Sequence, residues 1–381
     1  MITTHLVLVF LSVYTFEVSK TTFLRQGQCL DASACKERLS SGEMLAARLP
    51  GLAHTWCGNA TKTLSLRLME EFPMRVFVTG ATGYIGSAIV RELLAAGHQV
   101  LGLARSEAGA ASLASAGAEV HHGALDDLDS LRSGAVASDG VIHTAFIHNF
   151  SDSARATQTD LRAIETIGAV LEGSGKPFVV TSAILMLTFL LPPGRLGTEE
   201  DVADAGSVVP RIASENAAIS LAKRGVRSSI VRLSPTVHGE GDHGFVPTLI
   251  NVARTKGVSA YPGDGSNRWP AVHRLDAAHL FRLALEKAPA GSVLHAVADE
   301  GVPVREIAGV IGRRLGVPVV ALPVEEAGDH FGFLGQLFSL DCPASSTLTQ
   351  QWLGWHPVQP SLLADLDGDY YFTNEAWSKY R

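Results

Sequence analysis

The chain has 381 residues, of which 46% are hydrophobic and 18% charged, and its formal net charge is −7. This composition is typical of a soluble globular protein, and the length permits two or three domains or one large α/β domain with an appended part. The acidic balance argues against a nucleic-acid partner, and four cysteines without CxxC spacing argue against a zinc site or a disulfide framework in the main body.

Residues 1–73 differ in character from the rest of the chain. Residues 6–16 are apolar and match the length of a signal-peptide core, although they are too short to span a bilayer and lack a preceding Lys or Arg. Three of the four cysteines and the sequon Asn59-Ala60-Thr61 also fall in this segment. We interpret residues 1–73 as an N-terminal extension that is either a targeting segment or disordered.

From residue 74 onward, short apolar strands alternate with helical patterns. The predicted strands are residues 74–79, 98–104, 118–122, 140–146, 177–182 and 228–233, and the predicted helices are 87–96, 107–115, 154–172 and 213–224. Strands joined by helical crossovers indicate a doubly wound parallel α/β sheet. The apolar run 184–191 is too short for a membrane span and is predicted to be a buried insertion.

The alternation stops after about residue 239. Helices are predicted at 245–256, 277–287 and 304–315, mixed with short strands. We interpret residues 241–366 as a smaller substrate-binding lobe that covers the carboxyl edge of the sheet, where α/β proteins bind ligands, and that also supplies some elements to complete the sheet. Residues 74–240 then form the nucleotide-binding domain, and residues 367–381 a C-terminal tail.

A glycine-rich turn follows the first strand and opens the first helix. The first glycine of such a turn permits tight bending, the second lets the backbone approach a pyrophosphate, and the third lets helix and strand pack closely. Free N–H groups and the helix dipole attract the phosphate charge. Because both the preceding strand and the following helix are present, dinucleotide binding is favoured over a purely structural turn. The predicted contacts are Gly80, Thr82, Gly83, Tyr84, Ile85 and Gly86.

The end of the second strand bears on the choice of cofactor. An NAD-specific site usually has an acidic residue there that binds the ribose 2′-hydroxyl. This chain has Leu103-Ala104-Arg105-Ser106, without a carboxylate. Arg105 could pair with a 2′-phosphate, and the less favoured alternative is a solvated surface residue. The sequence therefore favours NADP, with NAD as the alternative.

These motifs resemble the extended branch of the short-chain dehydrogenase/reductase superfamily, the NAD-dependent epimerase/dehydratase family. The likeness spans about residues 74–366 and includes the glycine turn, Gly263-Asp264-Gly265 and the stretch Val272-His273-Arg274-Leu275-Asp276. The resemblance implies a Rossmann-type core with a C-terminal substrate lobe. It also implies further cofactor contacts from Leu125, Asp126, Thr144, Ala145, Phe146, Thr181, Pro235 and Val237.

The catalytic residues of that family are missing. Its hydride transfer uses a Tyr-x-x-x-Lys pair on the helix after the fifth strand, where the lysine lowers the tyrosine pKa, and a Ser or Thr at the end of that strand. Alignment puts Arg211 at the tyrosine and Glu215 at the lysine, and no tyrosine occurs between residues 140 and 230. An arginine can stabilise an oxyanion but is a poor proton donor. At the end of the fifth strand, Ser182 is followed by Ala183. The candidate catalytic residues are therefore Ser182 and Arg211.

Residues 238–243, with two histidines and two carboxylates, could in principle bind a metal. Without a rigid helix to fix the ligand geometry, a polar loop facing the substrate is favoured, and no metal is predicted.

Two hypotheses follow from the sequence. The first is an NAD(P)-dependent oxidoreductase of the extended or atypical short-chain type, with NADP favoured, which acts on a small organic carbonyl or alcohol. The second is a catalytically silent NAD(P)-binding sensor or regulatory protein. A sugar-nucleotide epimerase or dehydratase is less favoured, because those reactions also depend on the missing pair. The predicted partner is a small-molecule substrate, with no membrane contact for the main domain and a cytoplasmic location; the sequence predicts no oligomeric state.

Overall fold

The computed structural model describes residues 73–147, 152–204, 207 and 211–373. All of them lie in one compact unit, Glu71–Arg381. The predictions for the N-terminal extension therefore fall outside the described residues, apart from residue 73, as does the predicted tail beyond residue 373. In the described ranges, no helix has both the length and the apolar character needed to cross a bilayer.

The centre of the molecule is a seven-stranded sheet in which every neighbouring pair is parallel. Its strands are β1 (Arg75–Thr79), β2 (Gln99–Ala104), β3 (Glu119–His122), β4 (Gly140–His143), β5 (Pro177–Ala183), β6 (Arg227–Leu233) and β10 (Ser292–Ala296). Their order is β10-β6-β5-β4-β1-β2-β3, so the chain winds outward in both directions from β1. The order therefore reverses between β1 and β4, at the point where doubly wound sheets bind ligands. The predicted fold class is confirmed.

Helices connect and cover the strands. They are α1 (Tyr84–Ala95), α2 (Glu107–Ser115), α3 (Leu128–Val136), α4 (Ser153–Leu171), α5 (Ile212–Ser220), α6 (Phe245–Lys256), α7 (Arg274–Lys287), α8 (Val304–Leu315), α9 (Ala327–Phe331), α10 (Leu334–Phe338), α11 (Thr347–Leu353) and α12 (Leu362–Leu366). The remaining strands are β7 (Thr236–His238), β8 (Ser259–Pro262), β9 (Arg268–His273), β11 (Asp299–Pro303) and β12 (Val319–Leu322). They form a three-stranded sheet in the order β11-β9-β7 and a parallel pair of β8 with β12.

The alternation of side chains along β1 divides the core into two layers. Val76 and Val78 pack with α1 and α7 on one face of the sheet, where Leu93 and Phe281 are fully buried. Phe77 points to the other face and packs with α3, α4 and α5. A third cluster, centred on Trp269, joins α6 and α8 to the shorter helices that follow them.

Several element boundaries differ from the sequence prediction. The strand β4 ends at His143 rather than residue 146, which leaves the following residues as a loop at the sheet edge. The helix α3 was not predicted. The helix α7 begins at Arg274, three residues earlier than predicted, because the His273 side chain accepts a hydrogen bond from Leu275 N–H and so caps it. The apolar run after β5 forms a 3-10 helix, Ile184–Phe189, with three buried side chains.

Candidate active site

The glycine turn between β1 and α1 has the geometry of a phosphate-binding loop. Gly80 has φ +70, and a side chain there would lie 2.7 Å from Ala145 N. A Cβ at Gly86 would lie 2.0 Å from Gly80 O, so only glycine permits this contact of helix and turn. Gly83 caps α1 without a side-chain hydrogen bond, and the first turn of α1 has no acidic residue. Its N–H groups are therefore available to an anion.

The residues expected to contact the rest of the cofactor follow the strands on either side of this turn. Thr82 and Arg105 are exposed, and the Thr82 methyl group lies beside Gly109 at the start of α2, so the two loops are adjacent. Ser106 caps α2 by accepting the Gly109 N–H at 3.2 Å. Beyond β3, Leu125 is half-buried and Asp126 is exposed. These positions form one edge of the sheet, on the side of β2 and β3.

The residues after β4 are hydrogen-bonded to Thr79, where the turn begins, and the end of β5 is hydrogen-bonded to β4. Thr144 Oγ1 donates to Thr79 O at 2.8 Å, and Ala145 N donates to Thr79 Oγ1 at 3.3 Å. Thr181 Oγ1 donates to His143 O at 2.9 Å. The predicted contacts in this region share half-buried positions at the carboxyl edge: Thr144, Ala145, Phe146, Thr181, Pro235 and Val237.

A buried histidine bridges the phosphate turn and the helix α4. His143 Nδ1 is hydrogen-bonded to Thr79 Oγ1 at 2.8 Å, and its Nε2 lies 3.3 Å from Asp160 Oδ1. Burial by itself would raise the pKa of Asp160, but the hydrogen bond from His143 and the charges of His143 and Arg211 lower it below its usual value. Asp160 is therefore a buried carboxylate that stays charged.

Arg211 lies at the N-terminus of α5, next to this bridge. Its backbone is left-handed, with φ 69, and no other non-glycine residue in the described ranges has a positive φ. Nη2 donates to Thr181 O at 3.0 Å, and the guanidinium carbon lies 4.1 Å from the centre of the Phe146 ring. Nε is buried without a hydrogen-bond partner and lies 3.9 Å from Asp160 Oδ2. Burial lowers the pKa of the guanidinium, and the charges of Asp160 and Glu215 oppose that shift.

The loop after β7 makes a second polar cluster. Gly239 O accepts the Tyr84 hydroxyl at 3.0 Å, and Gly239 N donates to the Tyr371 hydroxyl. Tyr371 in turn donates to Asp242 Oδ2 at 3.0 Å, and burial raises the pKa of Asp242 to about 6. His238 Nδ1 pairs with Asp365 at 2.7 Å. Within the described ranges, no group of three or more His, Cys, Asp or Glu residues is arranged to hold a metal ion.

Comparison with known sequences decides the family. The sequence model described as NAD dependent epimerase/dehydratase family matches residues 76–174. The protein C2A9.02 of Schizosaccharomyces pombe is 56% identical over 299 residues, which cover 78% of this chain and 100% of that protein. This chain belongs to the NAD-dependent epimerase/dehydratase family.

More distant similarities agree with this family and with its fold. The 4-hydroxy-2-methyl-3-oxo-4-farnesyl-3,4-dihydroquinoline-1-oxide ketoreductase of Stigmatella aurantiaca is 28% identical over 240 residues, 61% of this chain and 70% of its own. A double mutant of DesIV, a dTDP-glucose 4,6-dehydratase from Streptomyces venezuelae solved with NAD and DAU bound, has a TM-score of 0.64 at 22% identity. That alignment covers 80% of this chain and 98% of the DesIV chain. The predicted family is confirmed, whereas the preference for NADP remains a prediction.

In this family member, the position of the expected lysine has a structural role. Glu215 forms a buried ion pair with Arg232, and Arg232 Nη1 also donates to Asp201 O at 2.9 Å. The same Nη1 lies 3.3 Å from His295 Nε2. Burial and the charge of Arg232 lower the pKa of His295 to about 3, so its ring is neutral and can accept this bond. The cation that the family places near the tyrosine is thus replaced by a carboxylate that is already paired.

Ser182 is drawn into the same network. Its hydroxyl donates to Glu215 Oε2 at 2.7 Å, and the side chain is buried. A hydroxyl with its proton committed to a carboxylate can offer a substrate only its lone pairs. The catalytic assignment of Ser182 stays a prediction, and Arg211 is the better placed of the two candidates because part of its side chain, 17%, is exposed.

Sequence reasoning missed two residues of this site. Asp160 lies on the buried face of α4 in register with Ala156, Ala163 and Ile164, and Arg232 lies in the buried part of β6. A charged residue on an otherwise apolar face is a signal, because such groups are rarely buried unless they are paired. Their partners, His143 and Glu215, each lie 17 residues away on another element and could not be identified without the fold.

Proposed function

We propose that this protein is an NAD(P)-dependent oxidoreductase of the atypical short-chain type that acts on a small organic carbonyl or alcohol, with NADP as the favoured cofactor. The observation that carries the proposal is the placement of Arg211. Its guanidinium is fixed by Thr181 O and Phe146 at the carboxyl edge of the sheet, beside a glycine turn with uncapped N–H groups. The ketoreductase among the relatives supports the same class of reaction.

The described residues fit a nicotinamide dinucleotide. The glycine turn would hold the diphosphate, since side chains at Gly80 and Gly86 would fill the space that the backbone uses. The loop ends after β4, β5 and β6 would hold the nicotinamide half. When bound in its reduced form, the cofactor supplies a hydride to the carbonyl carbon. All other tasks fall to the chain's own residues.

Arg211 would stabilise the negative charge that develops on the carbonyl oxygen as the hydride adds. The guanidinium stays charged at neutral pH and therefore cannot serve as the proton donor. Because part of the side chain is exposed, the alkoxide oxygen takes its proton from water. Removal of a single preorganised donor of this kind typically costs about 10²- to 10³-fold in kcat.

The preference for NADP rests on Arg105. Its side chain is exposed at the end of β2, beside the turn, and within the described residues no hydrogen bond or ion pair engages its guanidinium. A 2′-phosphate would provide a charge-assisted partner there.

The proposal is tested by nucleotide titration followed by turnover. NADPH and NADH are titrated into the full-length protein by fluorescence, and a panel of aldehydes and ketones is then assayed with NADPH. We expect micromolar binding, turnover of at least one carbonyl, and at least a 100-fold loss of kcat in Arg211→Ala without a change in the Kd for NADPH. Binding of NADPH without turnover of any carbonyl, and without any effect of Arg211→Ala, would reject the proposal that the protein is an enzyme.

The buried network gives specific support to a second candidate, a catalytically silent NAD(P)-binding sensor. Glu215 occupies the position of the family's lysine and forms a buried ion pair with Arg232, and the Ser182 hydroxyl at the end of β5 donates to Glu215. A sensor would bind the nucleotide with ordinary affinity and turn over no member of the carbonyl panel. The same titration therefore separates the two candidates.

A further inference from the structure

The guanidinium of Arg211 has a carboxylate nearby, that of Asp160, but forms no hydrogen-bonded ion pair with it. The nearest carboxylate oxygen, Asp160 Oδ2, is 3.9 Å from Nε, which is too long for a hydrogen bond. Asp160 also faces His143 through its other oxygen. Glu215 is paired with Arg232. Among the described residues, no carboxylate therefore forms a hydrogen-bonded ion pair with Arg211, although most of its side chain is withdrawn from water.

The orientation of this guanidinium is fixed before any ligand arrives. One nitrogen is anchored on Thr181 O, the plane lies over Phe146, and the backbone adopts the left-handed conformation that side chains seldom adopt. Backbone strain of this kind persists where the surrounding structure enforces it, and it concentrates at ligand sites. Nη1 has no hydrogen-bond acceptor among the described residues.

Part of the Arg211 side chain is open to solvent, whereas the neighbouring carboxylate is not. The Arg211 side chain is 17% exposed, whereas Asp160 behind it is 1% exposed. A ligand can thus reach the outer edge of the guanidinium without displacing the internal carboxylate. Planar carboxylates match the forked donors of arginine, and such charge-assisted bonds are stronger than those to a neutral carbonyl.

We infer that the substrate is an oxo acid, or the corresponding hydroxy acid, in which a carboxylate lies one or two carbons from the reacting carbonyl and binds Arg211 together with that carbonyl oxygen. This inference rests on the proposed oxidoreductase function and narrows its substrate class. In such an acid, the carbonyl oxygen and one carboxylate oxygen lie close enough for a single guanidinium to contact both. The substrate carboxylate would form the hydrogen-bonded ion pair that Arg211 does not form with Asp160.

Binding and turnover test the inference separately. Malonate and its diamide, malonamide, are titrated by calorimetry into the full-length protein saturated with NADP. We expect malonate to bind at least tenfold more tightly than malonamide, and Arg211→Gln to abolish the difference. Arg211→Gly is a second variant, which glycine's tolerance of a positive φ should allow to fold. Arg162→Gln, at an exposed arginine of α4, is the control and should leave the difference unchanged.

Turnover is compared between acetoacetate and methyl acetoacetate with NADPH. We expect a higher kcat/KM for the acid, and loss of that preference in both Arg211 variants. Equal turnover of acid and ester, with no selective binding of malonate, overturns the acid site but leaves the oxidoreductase standing. Selective, Arg211-dependent binding of malonate, without turnover of either compound or of any carbonyl in the panel, supports the acid site and rejects the oxidoreductase.

Discussion

Glu215 and Arg232 are both buried and oppositely charged, and the Ser182 hydroxyl donates to the same carboxylate. Removal of one partner from a buried pair leaves an uncompensated charge, which typically costs about 3–5 kcal/mol. Replacement of Glu215 by the family's lysine is worse, because it places a second cation next to Arg232. The family's lysine is therefore incompatible with the residues that surround position 215.

We therefore predict that Glu215→Lys lowers the free energy of unfolding by at least about 3 kcal/mol and restores no activity. Urea denaturation measures the change. The matched control is Glu172→Lys, which breaks a pair with Arg224 in which both side chains are about half exposed. An exposed pair contributes about 0–1 kcal/mol, so the control should lose little. A loss of similar size in both variants would show that Glu215 is not held in a buried pair.

The left-handed backbone of Arg211 gives a prediction about strain. Glycine adopts φ near +69 without cost, whereas alanine carries a Cβ that disfavours it by about 1–2 kcal/mol. Both substitutions remove the guanidinium. Arg211→Gly should therefore be more stable to urea than Arg211→Ala by about 1 kcal/mol, although both lose activity. If alanine is the more stable of the two, Arg211 does not adopt this conformation in solution.

At the scale of elements, the contact between α1 and the glycine turn depends on the absence of a side chain at Gly86. A Cβ there would lie 2.0 Å from Gly80 O. Neither atom can move away by a side-chain rotation, because the oxygen belongs to the backbone and the Cβ is bonded to it. We predict that Gly86→Ala displaces the turn and weakens NADPH binding at least 100-fold in a fluorescence titration. Gly309→Ala in α8 is the control, because nothing lies within 4 Å of its Cβ.

The control should keep full nucleotide affinity and gain about 0.5–1 kcal/mol of stability from the removal of a helical glycine. Unchanged affinity in Gly86→Ala would contradict the assignment of this turn to the diphosphate.

The loop after β7 is predicted to be sensitive to pH through Asp242. Burial raises its pKa from 3.8 to about 6, so the folded state binds this proton more tightly than the unfolded state does. Between those two values, stability should fall as pH rises, by as much as about 3 kcal/mol for this group. Urea denaturation measures the free energy of unfolding at pH 4.5 and at pH 7. Between these two pH values it should fall less in Asp242→Asn than in the parent protein. An identical fall in both proteins would exclude Asp242 as the cause.

Prediction from the sequence succeeded where the signal was local. The turn beginning at Gly80 combines a strand, three spaced glycines and a helix within one short segment, so its place in the fold followed directly. The helix α7 begins after His273, which caps it but is not a common capping residue. Its start was therefore predicted three residues too late. The pairing of Asp160 with His143, and of Glu215 with Arg232, joins a helix to a strand 17 residues away and depends on how that helix packs on the sheet.

At the scale of the whole molecule, the parallel sheet gathers these separate features at one edge. The reversal of strand order between β1 and β4 places the glycine turn beside the loop after β4, and α5 delivers Arg211 to the same region. The three-stranded sheet, through β7, brings the polar loop at Gly239 against Tyr84 of α1. Nucleotide binding and the proposed chemistry thus share one edge of the sheet.

Calorimetric titration of NADPH and NADH into the intact protein is the most direct test of the cofactor assignment. We expect one site per chain for NADPH, weaker binding of NADH, and loss of that preference in Arg105→Gln. Absence of binding heat with both nucleotides at several temperatures would contradict the claim that the backbone between β1 and α1 receives a diphosphate.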